Sequence, residues 1–166
     1  VRGVPLISLL FFSGFMLPLL FPPSATIPDG TTRAMIVITL FSAAYIAEIV
    51  RGGLQAVPKG QTEAAQAQGL STGKIQRLIV MPQALRAVIP SMVGQFISLF
   101  KDTSLLSIIG VLEFLGVREI VHTQEAFRGF GLVETLVYVA FTFWAISFTM
   151  SRVSQQLERR LDTGDR

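Results

Sequence analysis

The stretch Glu63-Ala64-Ala65-Gln66-Ala67-Gln68-Gly69-Leu70-Ser71-Thr72-Gly73-Lys74-Ile75-Gln76-Arg77-Leu78-Ile79-Val80-Met81-Pro82 decides how this chain is laid out. It occupies the middle of a polar interval, residues 51–86, between two apolar blocks. The interval carries Arg51, Lys59, Lys74, Arg77 and Arg86 against one acid, Glu63, and is too polar to lie within lipid. Its local signals are helical. Pro58 suits a first helical turn, Gly69 suits a helix end, and good helix formers fill the residues between. Ser71 is placed to cap a second helix. There Ile75, Leu78 and Ile79 fall at i, i+3 and i+4 as an apolar stripe, with Lys74 and Arg77 off it, and Pro82 is expected to break the helix. The interval reads as a compact amphipathic helical hairpin. On periodicity alone, a helix lying on lipid headgroups fits equally well.

Working outward, the flanking blocks are long enough to cross a bilayer, which takes about 20 mostly apolar residues. Four spans are expected: residues 4–21, closed by Pro22-Pro23; 33–50, with Glu48 near its far end; 87–112, interrupted by Lys101-Asp102-Thr103-Ser104; and 132–151, with Glu134 near its start. Small residues Ser42, Ala43, Ala44 and Ala47 give the second span a face suited to close helix approach. Tyr138 is near enough to an end to anchor at an interface, whereas Trp144 is not. Lys and Arg concentrate in the 51–86 interval and in the tail with Arg152, Arg159, Arg160 and Arg166, so both are expected inside, with Arg2. The Pro22–Gly30 and Glu113–Gly131 loops are then outside. There Arg33, Arg118 and Arg128 are offset by Asp29, Glu113, Glu119 and Glu125.

Composition agrees. Hydrophobic residues make up 51% and charged residues 15%, well below the roughly 25% charged share of soluble domains. The fold class is therefore all-α and integral to the membrane, a polytopic bundle of about four spans with a cytoplasmic hairpin between the second and third. With no cysteine, disulfides, thiolate metal sites and a cysteine nucleophile are excluded. The single histidine, His122, argues against a histidine metal cluster and against a Ser/His/Asp triad. The net charge of +3 comes with no aromatic-rich basic patch, so nucleic acid is not an expected partner. Gly69-Leu70-Ser71-Thr72-Gly73-Lys74-Ile75 fails as a phosphate loop. Its glycines are one residue too close, and Ile75 stands where a Ser or Thr is required.

The spacing within the hairpin is more specific than its periodicity. Glu63-Ala64-Ala65, three residues, Gly69, nine residues, Ile79, one residue, Met81-Pro82 resembles the EAA signature of ABC-importer permeases, with Met81 for the usual leucine. The resemblance to the polar amino acid branch extends through Ser42–Gly53, Val57–Gln61, Pro82–Arg86 and Gln95–Leu105. It also takes in Arg2-Gly3-Val4-Pro5-Leu6, where valine replaces a threonine. It implies a permease domain over residues 1–153, incomplete at its N-terminus because earlier spans normally precede that Arg-Gly segment, and a short cytoplasmic tail over 154–166. It also implies a subunit of the bacterial inner membrane with no cofactor, no metal and no chemistry on its cargo, a polar amino acid. The implied partners are ATPase subunits inside, an amino-acid-binding protein outside, a second permease subunit and membrane lipid. The first short helix is the implied coupling element. Glu63 accepts charge-assisted hydrogen bonds from the ATPase, Ala64, Ala65 and Ala67 offer a low profile, and Gly69 permits a left-handed turn; Ile79 and Pro82 complete the signature.

Ionisable residues inside a span default to a functional reading. Lys101, Asp102, Thr103 and Ser104, with Glu48, are therefore candidates for the translocation path. Against this stand helix-to-helix pairing, capping of a half-helix by Asp102 or Thr103, and a salt bridge from Glu48 to Arg51. Rival functions are a same-family permease for an opine or organic cation, and an ion-driven secondary transporter. The latter predicts inverted repeats, and none is evident.

Overall fold

The computed structural model describes residues 3–127 and 131–162, apart from the side chains of Glu119, His122, Ala126, Leu132, Arg160, Leu161 and Asp162. The expectations placed on Arg2, Arg128, Arg160, Arg166, Glu119 and the His122 side chain lie outside the described residues. Among the described residues every regular element is helical. The main helices are α1 (Leu6–Leu19), α2 (Gly30–Gln55), α3 (Lys59–Ala67), α4 (Thr72–Ile109), α5 (Val117–Thr123) and α6 (Leu132–Asp162).

Three of these, α2, α4 and the Val133–Arg159 part of α6, are long and apolar enough to cross a membrane. The first expected span differs. α1 is shorter than the roughly 20 residues of a crossing. Pro5 begins it, and its last turn tightens as Leu20 and Phe21 N–H reach back three residues, before Pro22-Pro23 removes two donors. α2 starts earlier than its apolar run, because Asp29 caps it. The Asp29 carboxylate accepts the N–H groups of Thr31 and Thr32 (3.1 and 3.3 Å) and the Thr32 hydroxyl. α6 continues past Ser151, so the tail begins as helix.

Pro82 does not break its helix. α4 runs unbroken through Pro82 and Pro90. The five residues Gln76–Val80 form a π-helical turn in which the Met81 N–H reaches Gln76 O, five residues back. The same arrangement occurs in α1. Phe12–Met16 is π-helical, the Leu17 N–H reaches Phe12 O, and Pro18 follows. A proline lacks the N–H for a bond four residues back, and its ring crowds that carbonyl. One widened turn just before it relieves the crowding without ending the helix.

The chain divides into two compact units. The first comprises the residues up to Ala44 with Ser98–Thr149. Its buried side chains include Leu6, Leu10, Ala34, Phe41 and Val139. Here α1 lies against the 3₁₀ turns that end α4, and a Cβ at Gly14 would stand 3.3 Å from the Ile109 side chain. Pro18 cannot donate to the Gly14 carbonyl, and Arg33 Nη2 does so instead, at 3.4 Å. Phe143 packs against Phe100 and Phe114, with ring centroids 5.1 and 5.9 Å away. Large apolar side chains on α6, among them Val133, Val137, Phe141 and Trp144, are exposed, as expected of a surface meeting lipid or another membrane subunit.

The second unit comprises Tyr45–Ile97 and the chain from Met150 on. α2 and α4 approach at Gly53, where a Cβ would fall 2.1 Å from Val88 Cγ2 and 3.1 Å from the Ala84 carbonyl oxygen. Only a glycine lets the two backbones come this close.

Candidate functional site

The hairpin is held by a small apolar core and a glycine turn. Ala65, Ile75 and Val80 are buried together, with Val57, Leu70 and Ile79 packed around them. The widened turn changes which residues face inward. Ile75 and Val80, five apart, are 1% and 7% exposed, whereas Leu78 is 64% exposed. The expected stripe of Ile75, Leu78 and Ile79 therefore loses Leu78, because a π turn takes more residues per revolution than the 3.6 on which the stripe was read. The second arm of the hairpin is not a separate helix but the first turns of α4.

α3 closes on Gly69, whose φ is +78°. The Gly69 N–H donates to Gln66 O (2.9 Å) and the Leu70 N–H to Ala65 O (3.2 Å). These two bonds, with Leu70 folded onto the core beside Ala65, form a Schellman turn, which favours glycine at the left-handed position. Ser71 stands at the N-cap of α4, but its hydroxyl makes no capping bond. Gln83 ties the arms together, its Nε2 donating to Ile79 O (2.9 Å) and to Gln61 Oε1. That tie left no trace in periodicity, since the two glutamines meet only when the hairpin closes.

Of the signature residues, Glu63, Ala64, Gly69 and Pro82 are exposed, Ile79 is half-buried and Ala65 is buried. The low-profile outer surface is thus Ala64 and Ala67. Ala65 faces inward and is buried with Ile75 and Val80.

The interruption near residue 101 is a change of helix type. The α-helix ends at Asp102 and Thr103–Ile109 continue as 3₁₀, closing on Gly110 at φ +78°. The hydroxyls of Thr103, Ser104 and Ser107 donate to Phe100 O, Lys101 O and Ser104 O at 2.7–2.8 Å. Asp102 sits at the cap position without a side-chain capping bond. Lys101 and Ser104 share the wall of a groove of about 430 Å³, with Leu115, Val139 and Phe143. Asp102 and Thr103 are not part of that wall, as expected for neighbours roughly 100° apart on a helix. Glu48 belongs to the second unit, where Arg51 Nη1 stands 3.7 Å from its carboxylate. In the loop between α4 and α5, the Glu113 carboxylate accepts the N–H groups of Leu115 and Gly116 (2.8 and 3.0 Å) at the start of α5.

Residues 1–163 match the family described as binding-protein-dependent transport system inner membrane component. This chain belongs to that family. It is similar to the inner membrane amino-acid ABC transporter permease protein YhdY of Escherichia coli K12, with 48% identity over 98% of this chain and 44% of that protein. It is also similar to the glutamate/glutamine/aspartate/asparagine transport system permease protein BztC of Rhodobacter capsulatus, with 48% identity over 97% of this chain and 37% of that one. The chain thus spans less than half the length of these two relatives. The probable glutamine ABC transporter permease protein GlnP of Bacillus subtilis is 37% identical over 96% of this chain and 71% of its own. The fold matches a solved chain described as an amino acid ABC transporter with histidines, at a TM-score of 0.80 and 30% identity, over 96% of this chain and 71% of that one.

Proposed function

We propose that the chain is the permease portion of an ATP-driven importer of polar amino acids, and that the Glu63–Pro82 hairpin is where a separate ATPase docks. The observation that carries this is the hairpin itself. It presents Glu63, Ala64 and Ala67 on a short exposed helix, α3, fixed by the Gly69 turn and continuous through α4 with a membrane-crossing helix. A push on α3 is transmitted to α4 through the buried Ala65–Ile75–Val80 contact rather than absorbed in a loose linker. The amino-acid transporters among the relatives support the cargo class.

At the helix break, the hydroxyls of Thr103 and Ser104 give their protons to the backbone and keep acceptor lone pairs. They suit a passing ammonium, as does Asp102, while Lys101 suits a carboxylate. Nothing chemical happens to the cargo, and ATP hydrolysis belongs to the partner. A binding protein outside and a second permease subunit complete the assembly, with the hairpin and the C-terminus in the cytoplasm of a bacterial inner membrane.

The test is accumulation of radiolabelled glutamine, glutamate and basic amino acids in proteoliposomes carrying the assembled transporter. Uptake should require ATP and the binding protein, and Asp102→Asn should change cargo preference or rate while assembly persists. Uptake driven by an imposed ion gradient without ATP would sink the reading. Loss of assembly in Asp102→Asn, with no selective transport effect, would remove these residues from the path.

A further inference from the structure

The last seven residues of α4, Thr103–Ile109, run as 3₁₀ helix. Runs of this type longer than three or four residues are uncommon, because their hydrogen bonds are poorly aligned. Nothing local demands the tighter form. The segment reads Thr-Ser-Leu-Leu-Ser-Ile-Ile and holds no glycine or proline. Its leucines are good helix formers. The hydroxyl bonds of Thr103, Ser104 and Ser107 to carbonyls three residues back suit an α-helix equally well. The 3₁₀ form is therefore held from outside.

The outside contact is with α1. Ile109 ends the segment and sits on Gly14, where a Cβ would stand 3.3 Å from both Cβ and Cγ2 of Ile109. Gly14 lies in the widened turn of α1, Phe12–Met16. Its carbonyl, which Pro18 cannot serve, takes Arg33 Nη2 at 3.4 Å instead. A tightened helix end thus meets a widened helix turn at one glycine, and departures of both kinds tend to mark functional positions.

We propose that Thr103–Ile109 is a conformational hinge that converts between 3₁₀ and α, and that the seating of Ile109 on Gly14 is the latch that holds the 3₁₀ form. A 3₁₀ helix rises about 2.0 Å and turns about 120° per residue, against about 1.5 Å and 100° for an α-helix. With Asp102 fixed, converting seven residues draws Ile109 in by about 3.5 Å and turns it by about 140°, so the latch and the α form exclude one another. Conversion also takes Ser104 out of line with Lys101, its neighbour in the groove of about 430 Å³, because residues three apart eclipse only in the 3₁₀ form. Opening the latch would then loosen a cargo held by both side chains; that consequence alone rests on the transport reading.

The experiment is pulsed electron–electron double resonance on the permease purified in detergent, without ATP or cargo. Spin labels are placed on cysteines replacing the exposed Ser98 and Leu112, one on each side of the segment, in a chain with no cysteine of its own. The wild-type segment should give one distance. Ile109→Ala should add a second, displaced by several ångströms, as the released segment relaxes to α. Ile108→Ala, at the exposed neighbour, should match wild type. A single unchanged distance in Ile109→Ala, or the same second distance in Ile108→Ala, would overturn the latch. This readout needs no transport, so its failure is distinct from failure of the transport reading. The need for movement is tested with Gly14→Cys and Ile109→Cys together in the assembled transporter in proteoliposomes, since the Cβ spacing of 3.3 Å is close to the roughly 3.5–4.5 Å of a disulfide. Oxidation should cross-link the pair and abolish cargo uptake, reductant should restore it, and each single variant should transport throughout. Failure to cross-link would contradict the contact, and undiminished uptake by the cross-linked form would show that the segment need not move.

Discussion

Replacing Gly69 tests the hairpin as a coupling element. Its φ of +78° lies in the left-handed region, and a Cβ there would meet nothing within 4 Å. The cost of a side chain is therefore backbone strain alone, with no clash. An L-residue in this region costs roughly 1–2 kcal/mol, asparagine less, and a β-branched residue more. The substituted chain can escape by abandoning the turn, which gives up the bonds to Gln66 O and Ala65 O, each worth about 0.5–1.5 kcal/mol net, and the packing of Leu70. The two costs are similar, so an undocked hairpin will spend time relaxed and docking must restore the turn. That strain then appears as weaker docking, about 5- to 30-fold for Gly69→Ala, since 1.4 kcal/mol is roughly tenfold. Gly69→Asn should stay near wild type and Gly69→Val should be weakest. The assay is co-purification of the ATPase with each variant, alongside cargo-stimulated ATP hydrolysis in membranes. Insertion of the spans should not change, because their backbone bonds are internal. If Gly69→Val holds the ATPase as tightly as wild type and hydrolysis stays coupled, α3 is not the docking element.

Three further outcomes are expected. Gly53→Ala should lower thermal stability in detergent by about 1–3 kcal/mol through overpacking against Val88, and Val88→Ala should recover much of it; simple additivity of the two would contradict the close approach. Asp29 is held below its ordinary value of 3.8, chiefly by the Thr32 hydroxyl and then by the Thr32 N–H, so its capping contribution is full above that value and lost as pH falls through the lower, folded one. Amide exchange at Thr31 and Thr32, corrected for intrinsic rate, should therefore stay slow down to acid pH and then rise, with Asp29→Ala fast throughout; loss of protection near neutral pH would refute the cap. Glu63→Lys should release the ATPase without disturbing the hairpin, since Glu63 is exposed; retained ATPase would mean that its charge plays no part in docking.

Linear pattern made much of this molecule legible. Apolar blocks of spanning length and the clustering of Lys and Arg are properties of the chain read in order, and they marked α2, α4 and α6 as spans. Proline fixes φ and glycine alone admits positive φ at little cost, so the start of α3 just after Pro58 and the left-handed turn at Gly69 followed from single residues. The spacing from Glu63 to Pro82 was legible as a family signature for the same reason. Other features needed the third dimension. A proline read alone stops a helix, and only a widened turn upstream decides that Pro82 is carried through. That turn moved Leu78 outward and Val80 inward. The small residues Ala65 and Gly53 look alike on paper, as members of small-residue stretches. Packing separates them, one beneath Ile75 and Val80 inside its own hairpin and the other where two backbones touch. The Gln61–Gln83 tie joins residues distant in sequence, and only the folded chain brings them together.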